Sequence, residues 1–114
     1  YQVYDKSGTS NIGKDAYIEA NGLKVYINRN RAEYNGIEIK LTGKEYEILK
    51  LLMKNPDRIY TIEMIYEMVW DEVFTYNAKN TVMVHIKNLR NKLIKACGDA
   101  CIHTEWGRGY RFER

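Results

Sequence analysis

The sequence predicts an α+β domain with an N-terminal four-stranded antiparallel sheet, three helices, and a β-hairpin that closes the chain. Three observations carry that expectation. Two Asn-Gly pairs, Asn21-Gly22 and Asn35-Gly36, divide short segments of alternating polarity. Apolar residues change to helical spacing abruptly at Thr42. Near the C-terminal end, Gly107 and Gly109 flank a single Arg108 between two strand-like runs. With 114 residues the chain has material for one domain and one core.

Tyr1 to about Lys14 holds Ser7, Gly8, Thr9, Ser10, Asn11 and Gly13 without periodicity and reads as a linker, so residues 1–15 are set apart from a domain over 16–114. The first residue is Tyr1 rather than Met, as expected of a segment cut from a longer protein with its missing part upstream. Tyr17 to Ala20 forms the first strand. Leu23, Val25 and Ile27 alternate with Lys24, Tyr26 and Asn28 in the second, Arg31 to Tyr34 forms the third, and Ile37, Ile39 and Leu41 alternate in the fourth. Asn-Gly supplies the positive φ angles that two-residue hairpin turns need.

Thr42-Gly43-Lys44-Glu45 is a capping box, with Leu41 and Tyr46 placed as a hydrophobic staple across it. Ile48, Leu49, Leu52 and Met53 give the first helix its apolar face, and Asn55-Pro56 stops it. A second helix starts at Thr61, turns Ile65, Met68 and Val69 toward the core, and ends near Trp70. Asp71 to Lys79 is a loop, longer than the tight turn of a simple helix-turn-helix. The third helix, about Asn80 to Ala96, buries Val82, Ile86, Leu89 and Leu93 in one stripe. Its opposite face carries Asn80, Val84, Lys87, Asn88, Asn91 and Lys95. Asn can bond adenine edges, Lys can reach guanine or phosphate, and Val can meet a thymine methyl. An ordinary solvated face has the same composition, and these residues alone leave both readings open. The same holds for Arg108 at the hairpin tip: it suits a minor groove or phosphates, and equally a plain exposed turn.

Composition narrows the function classes. Hydrophobic residues make up 45% and charged residues 29%, ordinary for a soluble globular domain. No apolar run approaches the roughly 18 residues of a membrane span, and the first residues do not form a signal peptide. From Lys79 onward eight bases stand against three acids, a net +5 where the whole chain carries +3. A basic end and a slightly acidic remainder suit a surface that meets a polyanion, with another surface free for other partners. Cys97 and Cys101 read as reduced cytosolic thiols. With His103 they offer a possible three-ligand cluster but no evident fourth ligand, so no metal is expected. His85 and His103 have no carboxylate or nucleophile at a fixed spacing, so no enzyme is expected.

Meander, three helices and hairpin in this order resemble the effector domain of OmpR/PhoB-type response regulators, a winged helix-turn-helix. The resemblance is carried by Leu41-Thr42-Gly43-Lys44-Glu45-Tyr46, by Val69-Trp70, by the run Asn80 to Leu93, and by Gly107-Arg108-Gly109-Tyr110-Arg111-Phe112, together covering about residues 18 to 113. The run Asn80 to Ile86 and the pair Trp106-Gly107 are most similar to the VanR branch, which regulates glycopeptide-resistance genes. The resemblance implies sequence-specific binding of double-stranded DNA and transcription regulation in a two-component system, in the cytoplasm and without a cofactor. Val84, Lys87, Asn88 and Asn91 would read bases in the major groove. Thr81, His85 and Arg90 would serve phosphates or packing, Lys95 would serve the DNA backbone, and Thr104 and Arg108 would belong to the wing. Phe74, Thr75 and Tyr76 correspond to the loop by which such domains contact RNA polymerase, a local packing role remaining open for Phe74 and Tyr76. The sheet would face an upstream receiver domain, phosphorylated by a sensor histidine kinase, whose activation favours homodimers on tandem half-sites. The sequence departs from the common pattern at Trp106 and Asn80, where many members carry Arg, and at Met83, where Asp or Glu is frequent. A winged-helix protein-interaction module is the competing reading. The Asn- and Lys-rich face opposes it, because protein interfaces deplete Lys at their centres.

Overall fold

Two Asn-Gly turns set the sheet. In the computed structural model, which describes residues 16–113, Asn21 and Gly22 have φ of 56° and 83°, and Asn35 and Gly36 have 51° and 85°. These are the paired positive angles that match the twist of the flanking strands. They join β1 (Tyr17–Ala20) to β2 (Leu23–Tyr26) and β3 (Ala32–Tyr34) to β4 (Ile37–Ile39) in one antiparallel sheet of order β1-β2-β3-β4. The register aligns Ile18, Val25, Ala32 and Ile39 in a row across all four strands, and all four are buried. The other face aligns Glu19, Lys24, Glu33 and Glu38, where Lys24 stands between two acids and Arg31 pairs with Glu33 and Glu38 at 2.5 and 3.6 Å. The linker assigned to residues 1–15 lies outside the described residues.

The helices follow as α1 (Gly43–Lys54), α2 (Ile62–Trp70) and α3 (Ala78–Cys97), and the hairpin as β5 (Ile102–Glu105) and β6 (Gly109–Phe112). Thr42 and Glu45 close the capping box in both directions. Tyr46, Ile48, Leu49, Leu52 and Met53 of α1 meet Val82, Ile86, Leu89 and Leu93 of α3 in one core with the sheet. Two expectations need correction. Met68 is 56% exposed rather than turned inward. In a nine-residue helix centred on Ile65 and Val69, it falls 100° away from Val69 and off the stripe. The break between α2 and α3 spans only Asp71 to Asn77, because backbone bonds from Ala78 to Thr75 and from Lys79 to Tyr76 start α3 two residues early.

Glu45 also binds α1 to α3. Its Oε1 accepts from the Thr42 amide at 3.0 Å and from Lys92 Nζ at 2.5 Å, while its side chain is almost wholly buried. Burial pushes the carboxyl up, but the bonds from Lys92 and Thr42 outweigh it and hold Glu45 below the ordinary range. A lowered folded-state pKa gives stability that is present above the unfolded value and lost as pH falls through the folded one. Glu45→Gln keeps the cap geometry and removes the charge. It is expected to lower stability by about 1 kcal/mol at neutral pH, a gap that closes below roughly pH 4. Urea unfolding of both proteins at pH 7 and pH 3 measures it; a gap unchanged between the two would refute the role given to the carboxylate.

Candidate nucleic-acid interface

α3 is a twenty-residue helix with five bases, Lys79, Lys87, Arg90, Lys92 and Lys95, and no acid. Its position is fixed from within by the buried stripe and at its end by Gly98, whose left-handed backbone returns an N–H to Ile94. Asn80, Val84, Lys87, Asn88, Asn91 and Lys95 all lie exposed on the opposite side, as the periodicity predicts. Among the described residues, the side chains of Lys87, Asn88, Asn91 and Lys95 make no hydrogen bond or ion pair, so their donors and acceptors face solvent.

The flanks are committed to packing. His85 stands edge-on to Trp70 at 5.0 Å, and its Nδ1 lies 2.7 Å from the Thr81 carbonyl, which places both residues in the seam with α2. Arg90 turns the other way. Its Nε donates to the Ile102 carbonyl at 3.1 Å, its Nη2 to Thr104 Oγ1 at 2.5 Å, and its guanidinium lies 5.3 Å from the Tyr110 ring centroid. Of the two roles left open for Arg90, phosphate contact or packing, its bonds serve the second: with Thr104 it props the hairpin against α3.

The hairpin gains a third partner that sequence periodicity did not reveal. Tyr60 and Tyr110 exchange backbone bonds at 2.8 and 2.9 Å, and the Asp57 amide donates to the Phe112 carbonyl at 2.8 Å. The approach is so close that a Cβ on Gly109 would lie 2.1 Å from the Tyr60 carbonyl oxygen. Across the hairpin Arg111 pairs with Glu105 at 2.5 Å. The tip is thereby held rigid with Trp106 and Arg108 exposed. Between it and α3 runs a cleft of about 430 Å³, lined among others by Lys79, Met83, Thr104, Trp106 and Arg108. Lys79 and Met83 were absent from the expected site, since at 100° per residue they fall between the buried and exposed faces.

The α2–α3 connection divides. Phe74 is half-buried, its ring 6.0 Å from Tyr66 in an edge contact and its amide bonded to the Glu67 carboxylate at 3.1 Å. Thr75 is exposed, and its carbonyl starts α3. Tyr76 is 89% exposed, and so is Val73 at 81%, which the sequence had not singled out. Cys97 and Cys101 are free and half-buried, and burial pushes the Cys97 thiol up to about 11 and raises that of Cys101. His103 Nε2 lies 2.8 Å from the Glu113 carboxylate. Among the described residues no three of His, Cys, Asp and Glu converge as a metal site, and no helix is long and apolar enough to cross a membrane.

A helix presenting amides and bases to solvent, braced beside a rigid basic hairpin on a small sheet, defines a winged-helix DNA-binding domain of the kind found in transcription regulators. The family model described as "Transcriptional regulatory protein, C terminal" matches residues 36–112, and the chain belongs to that family. YrkP of Bacillus subtilis, an uncharacterized transcriptional regulatory protein, is 41% identical over 113 residues, 98% of this chain and 48% of that protein. The DNA binding domain of CpxR from E. coli is similar in structure, with TM-score 0.75 and 28% identity over 85% of this chain and 95% of that one. DrrB of Thermotoga maritima, an OmpR/PhoB homolog, matches with TM-score 0.69 and 28% identity over 86% of this chain and 44% of that one. The chain spans about half the length of the curated relatives it matches.

Proposed function

We propose that the domain binds double-stranded DNA sequence-specifically as the effector part of a two-component response regulator and performs no chemistry itself. One observation carries the reading: the outward face of α3 holds Val84, Lys87, Asn88 and Asn91 exposed and unengaged, on a helix with five bases and no acid. Such a face fits the major groove, where amides and bases find acceptors and donors on base edges. Arg108, on the rigid wing, reaches the minor groove or the flanking phosphates, and Lys95 a phosphate. Membership of the family and likeness to the DNA binding domain of CpxR support the same reading.

The rest of the regulator is proposed on family resemblance. Residues 1–15 link the domain to an upstream receiver, phosphorylated by a sensor histidine kinase, and the activated homodimer occupies tandem half-sites in the cytoplasm. Val73 and Tyr76 join Thr75 as the exposed residues facing RNA polymerase, with Phe74 as the packed residue that holds the turn.

Arg108→Ala tests the wing. Neutralising a phosphate releases a counterion, so losing one contact should flatten the slope of log affinity against log salt by about one. The affinity loss should be similar on specific and random duplexes. Fluorescence anisotropy at several salt concentrations reads both, and an unchanged slope would remove Arg108 from the contacts.

A further inference from the structure

Trp106 is the largest exposed apolar side chain among the described residues, with 89% of its surface in solvent. Its exposure does not come from a loose loop. Gly107 at φ 77° and the bond from the Arg108 amide to the Glu105 carbonyl at 2.9 Å close a tight turn. Arg111 holds Glu105, Arg90 holds Thr104, and Tyr60 holds Tyr110. The fold therefore presents the indole from a braced platform and leaves a large apolar ring in water. The ring does not pack against the domain's own core.

Its surroundings identify what covers it. Trp106 shares the cleft between wing and α3 with Met83, Lys79 and Arg108. Of the two carboxylates that line that cleft, Glu105 is already bound to Arg111, which leaves Glu63 against the two bases. When α3 occupies the major groove and the wing the next minor groove, the sugar–phosphate strand between the grooves crosses this cleft. Lys79 and Arg108 then meet phosphates, while Met83 and Trp106 meet the apolar faces of deoxyribose. We propose that Trp106 lays its indole against the sugars and base edges of the minor groove, as an apolar DNA contact that favours A·T pairs beneath the wing. The preference follows because the amino group of guanine projects into that groove and would hold the ring away. This rests on the DNA-binding reading of α3 and the wing.

The test uses the intact chain carrying Trp70→Phe, which keeps an aromatic ring beside Tyr66 and His85 and leaves Trp106 as the sole tryptophan. The probes are duplexes with one copy of a half-site selected from random DNA, with A·T or G·C pairs under the wing. Binding should quench Trp106 emission and shield it from acrylamide. In the otherwise native chain, Trp106→Ala should weaken binding roughly tenfold, abolish the A·T preference and leave the salt slope unchanged, because an apolar contact releases no counterion. Trp106→Phe should retain most of the affinity. Binding with unaltered Trp106 emission, or a Trp106→Ala affinity within twofold of the parent, would overturn the inference while sparing the DNA reading. Quenching only on duplexes with two half-sites would also overturn it, assigning the indole to a second copy. A parent chain that binds no duplex would overturn both.

Discussion

Gly109→Ala is expected to unfold at a temperature more than about 10 °C below the parent, the largest single-residue effect on stability argued from this structure. The residue sits at φ 144°, where an L side chain is strained, and its added carbon would lie 2.1 Å from Tyr60 O and 2.7 Å from Tyr60 C. Backbone atoms cannot swing aside as a flexible side chain can. Either the Tyr60 segment or β6 must shift, and the two bonds between Tyr60 and Tyr110 break. Strain of about 1–3 kcal/mol and roughly 1 kcal/mol for each lost bond combine to about 3–5 kcal/mol. Circular dichroism melting measures it. The same variant should bind DNA weakly even when folded, because the wing loses its brace. A melting point within a degree or two of the parent would mean that Tyr60 does not pair with the hairpin.

Lys87→Ala and Asn88→Ala should each cost roughly 1–3 kcal/mol on the selected site and relax its sequence preference, with little change in stability. Both side chains are exposed on α3, and neither holds any part of the fold. An effect on binding therefore reports an interface rather than a weakened scaffold. The two variants should also differ from each other. Lys87 carries a charge, so its loss adds a change in salt slope if it reaches phosphate, whereas loss of Asn88 should leave the slope intact. Titrations on specific and random duplexes separate these effects. Variants that bind both duplexes as the parent does would place base reading elsewhere.

Much of this architecture was legible because its signals are local. Asn21-Gly22 and Asn35-Gly36 admit few backbone solutions, and the capping box at Thr42 to Glu45 encodes both of its bonds within four residues. The stripe Val82, Ile86, Leu89, Leu93 fixed which side of α3 is free. What escaped notice depends on contacts between distant segments. Tyr60 pairs with Tyr110 as a lone residue with no alternating pattern around it, so the reason for Gly109 could not be seen. Arg90 lies between the two faces of α3, and only the position of the hairpin decides that it braces the wing. In the α2–α3 connection the ring of Tyr66 decides that Phe74 turns inward while Val73 and Tyr76 do not. The early start of α3 was missed for a different reason: Asn77 makes no side-chain cap, and the backbone of Thr75 and Tyr76 does that work instead.

The central claim is that α3 and the wing read duplex DNA, and selection from a pool of random duplexes tests it most directly. The folded domain is incubated with the pool, bound molecules are amplified over several rounds, and affinities of the survivors are compared at two salt concentrations. The expected result is an enriched motif, repeated at about one helical turn and bound more weakly at the higher salt. Survivors with no common motif, bound weakly and lost at moderate salt, would contradict sequence-specific recognition and favour a protein-interaction module in its place.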